Sequence, residues 1–521
     1  MVNFNKVGVS LSGRLFKRSG SLLIVLLFSF AAVLLLVSCG NQAEIASESD
    51  MTKVAPTSDA AVQETTPTEE PTAVKPADTK ESETNGTAEV TVGAVTPTTE
   101  SIPTPEPTAE PSPEPVETED GDELMKEIER VREEIEANVV EVRGLEPEDS
   151  VEVTLLDREE LRERLEGELL EDFSKEEARD NAIVLSAFDF IPKDFDLYGF
   201  TVDLLTEEIA GFYDPETNEF VLINEDAEYD VLEKLTYAHE YVHALQDQHY
   251  DLDQLDEESL DSEASMALTA LAEGDATLVQ TLYLLEGYMS QAELMEALTK
   301  SMEVDTAVLD SAPPVLSRQM LFPYLEGASF VEALYARGGF DAVNQAWESP
   351  PESTEQILHP ERYFAGDSPQ IISLAPLTDT LGSGWEMIDQ DIMGELFIRE
   401  YLVQQLEDRL VDIASTGWGG DQYAVYWNEA DEDQVMVLRI AFDSPDDNEE
   451  FQEAYRGYPG GLLGAKSSKQ RDGGLCWEGA EEVICLYSVN DETLIARAPN
   501  LSLASLVAAE QLRFFMSQQG I

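Results

Sequence analysis

The chain is 521 residues long and 43% hydrophobic, and it carries 107 acidic against 31 basic residues, a formal net charge of -76. That length exceeds one ordinary domain, and the apolar content is enough for real cores. The charge argues against nucleic acid or anionic lipid headgroups as partners held by a basic surface, and fits a highly solvated acidic exterior.

Residues 1–39 read as an export signal. Lys6, Arg14, Lys17 and Arg18 form a positive start, an apolar run follows from Leu22 to Val37, and Cys39 closes it. Leu36-Val37-Ser38-Cys39 resembles a bacterial lipobox, which implies a lipidated Cys39 and a body anchored to the outer face of the bacterial cell membrane. Residues 40–122 are rich in Thr, Pro and Glu and nearly devoid of large apolar side chains. Such a segment cannot bury enough surface to offset its ordering entropy, so a disordered linker is expected.

Order is expected from Glu123. Leu124, Ile128, Val131 and Ile135 recur at helical spacing, Val151–Leu155 alternates like a strand, and Asp157 opens a helix with Leu161, Leu165 and Leu169 on one stripe. Ala210–Ile223 reads as a hairpin turning at Asp214-Pro215-Glu216-Thr217-Asn218, and its edge is a candidate to pair with an extended substrate. A helix is expected from Asp230, with Glu233 as capping-box partner and Leu235, Ala238, Val242 and Leu245 buried.

That helix carries His239-Glu240-Tyr241-Val242-His243, two of the four histidines in the chain. Residues four apart share a helix face, so both imidazoles can reach one metal ion, beside a cleft. Glu240 sits where it can hold and deprotonate a water on that ion. A catalytic zinc takes three protein ligands, and three candidates exist for the third. His249 completes an H-E-x-x-H-x5-H spacing. However, Gln246 stands where the chain would need glycine to turn back, and on a continuous helix His249 lies about 15 Å from His239. Glu263 is a second candidate. Glu273, in Ala272-Glu273-Gly274-Asp275-Ala276 on an apolar segment from Ser262 to Met289, is the third.

Here the chain resembles the gluzincin-type zinc metallopeptidases, thermolysin-like in their active-site helices. In one branch the third ligand is the Glu of an A-E-G-x-A stretch on the following helix. The resemblance favours Glu273 and implies that Gly274 lets two helices approach at the metal. It covers about Leu197–Tyr363, and thermolysin's own N-E-x-x-S-D stretch is not present. Asp275 and His249 are candidate groups behind the ligands, Asp275 as acceptor for a ligand imidazole N–H. Tyr324, in a Y-x-x-G-x-x-F-V stretch similar to that of related gluzincins, and His359, in a polar loop after Pro350-Pro351, are candidate oxyanion donors.

From about residue 370 the pattern changes to strand pairs at Tyr423–Trp427 and Val435–Ile440, two more strands at Val483–Tyr487 and Thr493–Ala496, and flanking helices. Cys476 and Cys485 are candidates to bridge facing strands, as suits an exported protein. The expected fold class is α+β: a mainly helical, zincin-like domain at 123–369 with a small antiparallel sheet, then a small α+β domain at 370–521. The expected function is a membrane-tethered zinc metallopeptidase acting on peptides or proteins outside the cytoplasm. The alternative is a non-catalytic lipoprotein that binds peptides or envelope partners.

Overall fold

The computed structural model describes residues 119–518, apart from 166, 168–172, 216, 224–229, 253–260, 303–306 and 472. The export signal, Cys39, nearly all of the linker and Leu169 lie outside the described residues. Among the described residues no helix is long and apolar enough to cross a membrane.

Helix α1 (Glu119–Arg143) leads in, followed by β1 (Glu152–Leu156), α2 (Arg158–Arg164), α3 (Lys175–Ala187) and α4 (Leu197–Glu208). Asp157 caps α2 in a reciprocal capping box with Glu160. The hairpin forms as β2 (Gly211–Asp214) and β3 (Glu219–Ile223), with Asn218 left-handed at φ 55° in the turn. Its sheet is not wholly antiparallel: the order is β1-β3-β2, and β1 runs parallel to β3. Parallel strands need a long crossover, and the α2–α4 segment supplies one, a pairing that local alternation could not reveal.

Helix α5 (Val231–Tyr250) starts as expected, with Asp230 and Glu233 forming the capping box. It ends at Asp251, whose φ of 60° is left-handed. Helix α6 (Ser262–Leu285) packs against it, and α7 (Gln291–Ser301) and α8 (Ala307–Ser311) follow. Helix α9 (Pro314–Gly338) crosses α6, and α10 (Phe340–Glu348), α11 (Thr354–Leu358) and α12 (Pro360–Ala365) complete the helical region. The crossing is backbone on backbone. A Cβ on Gly274 would stand 2.2 Å from the Gly327 carbonyl oxygen, and one on Gly327 would stand 2.3 Å from that of Ala270. Gly274 therefore admits α9, rather than bringing α5 to α6 as the resemblance implied.

The C-terminal region is built on seven antiparallel strands in the order β4-β5-β6-β10-β9-β8-β7. After α13 (Thr378–Leu381) come β4 (Trp385–Asp391), α14 (Gly394–Val403), α15 (Asp408–Ser415), β5 (Trp418–Asn428) and β6 (Asp433–Phe442). Then follow α16 (Pro445–Tyr455), α17 (Tyr458–Leu463), β7 (Ser468–Lys469), β8 (Leu475–Glu478), β9 (Val483–Val489), β10 (Glu492–Ala498) and α18 (Leu501–Gln518). Strand β6 shows why these runs are apolar without alternation. Met436, Leu438 and Ile440 enter one core with α3 and α14–α17, while Val435 and Val437 enter another beneath α18. Cys476 and Cys485 face each other across β8 and β9 and are disulfide-bonded. The first of these cores also takes Val184, Phe188 and Phe190, so the helical region and the sheet share buried apolar surface.

Candidate metal centre

Helices α5 and α6 bring together His239, His243 and Glu273, and all three are buried. The two Nε2 atoms are 3.2 Å apart, and Glu273 Oε2 lies 3.3 Å from His239 Nε2 and 3.5 Å from His243 Nε2. Donors at about 2.0–2.1 Å from a tetrahedral zinc stand roughly 3.3 Å from one another, so the residues present fit that ion. Burial works against charging either imidazole. It holds His239 below its ordinary pKa, whereas at His243 the Glu273 carboxylate outweighs it and lifts the value to about 9. Burial also works against the Glu273 carboxylate, but the two histidines hold its pKa below the ordinary value, so it keeps its charge.

Glu240 lies wholly inside. Its Oε2 accepts the Tyr213 backbone N–H from β2 at 3.2 Å, while its Oε1 has no hydrogen-bond partner among the described residues. Burial raises its pKa well above the carboxylate range. The expected substrate edge is thus engaged from within: β2 is fully buried, and the N–H of Tyr213 is given to Glu240. The expected open cleft is absent at the ligands themselves, which are at most 1% exposed.

Tyr324 is at the centre. Its ring lies 6.3 Å from that of His239, and burial followed by the charges of Glu273 and Glu240 pushes its hydroxyl pKa well up. The helix carries on past Gln246 to Tyr250, which takes His249 away from the ligands. His249 is exposed and its Nε2 donates to the Glu146 carbonyl at 2.8 Å, so it does not stand behind a ligand imidazole. Glu263 faces elsewhere, accepting the Thr354 N–H at 2.6 Å and its hydroxyl at 2.8 Å. His359 is paired with Glu395 of α14 at 3.0 Å, and that hydrogen bond raises its pKa. It ties the α11–α12 turn to the C-terminal region and is not part of the ligand group.

The group behind His243 is Gln246, which in the sequence only tells against His249 as a ligand. Gln246 Oε1 lies 2.8 Å from His243 Nδ1, and Gln246 Nε2 donates to the Ala272 carbonyl at 3.0 Å and to Asp275 at 3.2 Å. Asp275 therefore reaches the ligand through Gln246, not directly. Its charge is met by Arg143 at 2.8 Å and by the Trp347 Nε1–H at 3.1 Å. Two signals pointed here. Gln246 is three residues from His243, on a neighbouring face, and Arg143 falls on the Ile135–Val139 stripe of α1, where a charge needs a buried partner.

A family model described as a domain of unknown function (DUF8575) matches residues 383–508, which spans the seven-stranded sheet and the first turns of α18. No curated protein and no solved structure matches the chain.

Proposed function

We propose that this chain is an exported, lipid-anchored zinc metallopeptidase of the gluzincin type, with His239, His243 and Glu273 as the ligands. The observation that carries the reading is the Glu240 carboxylate. Its buried Oε1 has no hydrogen-bond partner among the described residues, on a residue that feels the charges of His243 and Glu273, and leaving such an atom unmet is costly unless something fills the place. Zinc bound there supplies a Lewis acid for the scissile carbonyl and acidifies water. Glu240 Oε1 takes the proton of the attacking water and returns it to the leaving amine. Tyr213 keeps the carboxylate aimed by holding Oε2. The Tyr324 hydroxyl is the donor for the developing oxyanion.

The test measures bound zinc and peptide cleavage for the wild type and Glu240→Gln. Zinc in both, with hydrolysis reduced about 10²–10⁴-fold in the variant, is the expected result. Zinc in both and cleavage of a mixed peptide library by neither would remove the peptidase reading. The burial of all three ligands and of Glu240 favours that second outcome's meaning, a metal-holding lipoprotein that binds peptides or envelope partners without cleaving them.

A further inference from the structure

The contacts behind His243 make a single buried chain from the N-terminal helix to the ligand. We infer that Gln246, Asp275 and Arg143 are positioning residues that set the affinity of the His239–His243–Glu273 centre for its cation, an inference that rests on the metal reading above. The amide of Gln246 has only one workable orientation. Its Nε2 faces two acceptors, the Ala272 carbonyl oxygen at 3.0 Å and Asp275 Oδ2 at 3.2 Å. Turning the amide over would set its oxygen against both. With that orientation imposed, Oε1 faces His243 Nδ1 at 2.8 Å and can only accept. Nδ1 must then carry the proton, which leaves the Nε2 lone pair to a cation. The tautomer of the ligand is thereby set by α6, not by the histidine itself.

Gln246 also fixes a distance. Ala272 and Asp275 flank Glu273 on α6, so a side chain from α5 is fastened on both sides of the third ligand. The spacing between His243 and Glu273 depends on that fastening. Asp275 can hold it because its own charge is met. Arg143 Nε and Nη2 donate to its Oδ2 at 3.1 and 2.9 Å, and the arginine is 1% exposed. The Arg143 guanidinium lies over the Phe340 ring, with its carbon 4.8 Å from the ring centroid, which excludes water from the pair. Arg143 is the last residue of α1, so the helix that enters from the linker completes the support of the centre.

The test uses the full chain and competition against a zinc chelator, with the visible spectrum of the cobalt(II) form as a second readout. Gln246→Leu is expected to weaken zinc binding about 10–100-fold and to change the cobalt spectrum. Gln246→Asn, one methylene short of Nδ1, is expected to act in the same direction and guards against a leucine variant that does not fold. His249→Gln, on the same helix but bonded to the Glu146 carbonyl away from the ligands, is expected to stay within about threefold of wild type. Wild-type affinity and an unchanged spectrum in both Gln246 variants, even with a lowered melting temperature of the metal-free protein, would reduce Gln246 to a packing residue and overturn the inference. A wild type that takes up no zinc overturns the metal reading, and the inference falls with it.

Discussion

Two regions of this molecule bury acidic side chains, and they do so in opposite ways. Around the ligands, Glu273 faces two histidines and Asp275 faces Arg143, so both have a cationic or protonatable partner within 3.5 Å, with Glu240, held by the Tyr213 N–H, as the exception. Where the helical region meets the sheet, Glu263, Asp391 and Asp421 are met mainly by N–H and hydroxyl donors, and Glu355 has only Arg362, at 3.9 Å, among the described residues. Glu263 takes Thr354, Asp391 takes Ser262, and Asp421 takes the backbone of Met393 and Gly394. The consequences follow from charge. The histidines hold the Glu273 pKa down against burial, whereas burial raises Asp421 to about 6, Asp391 to about 7 and Glu355 to about 8. Glu273 and Asp275 keep their charge beside partners of opposite sign; the second set holds its protons to higher pH than exposed carboxylates do, where the helical region meets the sheet.

The sharpest way to break this comparison is to neutralise one carboxylate in each region. Asp275→Asn leaves Arg143 buried without a counter-charge, and a loss of about 3–5 kcal/mol in unfolding free energy is expected. Glu263→Gln replaces a group whose pKa burial already pushes well above the carboxylate range, so a change within about 1 kcal/mol is expected at pH 7. Urea titrations of the two variants beside the wild type measure both. Similar losses in the two would mean that the regions do not differ in charge state. Gly394 bears on the same point. Its φ of 70° already favours glycine, and a Cβ there would lie 1.9 Å from Glu263 Oε2. That Oε2 has no hydrogen-bond partner among the described residues.

Much of the first region was readable before the structure. The capping box at Asp230, the two histidines and the hairpin turn follow from local rules of spacing and capping, which depend only on neighbours in the chain, whereas Glu273 is singled out only by the gluzincin resemblance. The misreadings concern contacts between distant segments. Gly274 announces a close approach without naming the partner, which is α9 and not α5. His249, expected behind the ligands, instead bonds the Glu146 carbonyl, because α5 runs on unbroken to Tyr250. The Arg143–Asp275 pair spans 132 residues, beyond any local rule. The acidic joint was not foreseen at all, since in a chain with 107 acidic residues no single aspartate stands out. Only burial separates Asp421 from the solvated majority.

A smaller effect sharpens the comparison on the hydroxyl side. Thr354 Oγ1 donates to Glu263 and accepts the Leu396 N–H at 3.1 Å, joining α11 to both α6 and α14. Thr354→Val keeps the shape and removes both bonds, and a loss of about 1–3 kcal/mol is expected. A neutral outcome would show that the joint is held by packing and not by its polar contacts.

The smallest effect is one of pH, and its sign separates the two regions. Glu355 is buried, its Oε1 has no hydrogen-bond partner among the described residues, and Arg362 Nε stands 3.9 Å away. Burial, aided by Asp443, lifts its pKa from an ordinary 4.5 to about 8. A carboxyl whose folded pKa is raised binds its proton more tightly in the folded state. Its contribution to stability is complete below about pH 4.5 and is lost as pH rises through 8. Exposed carboxylates have finished titrating by about pH 5.5, but His243 and His359, whose pKa values are also raised, titrate above it, so the difference between wild type and Glu355→Gln reports Glu355. Glu355→Gln is expected to escape that loss and to be the more stable protein at pH 8.5, by about 1 kcal/mol once partial solvent screening is allowed for. At pH 5 the two proteins should melt together, because wild-type Glu355 is then neutral as well. A Glu355→Gln protein that instead loses stability relative to wild type between pH 5.5 and 8.5 would place Glu355 with the charge-paired Glu273 and Asp275 and erase the distinction between the two regions.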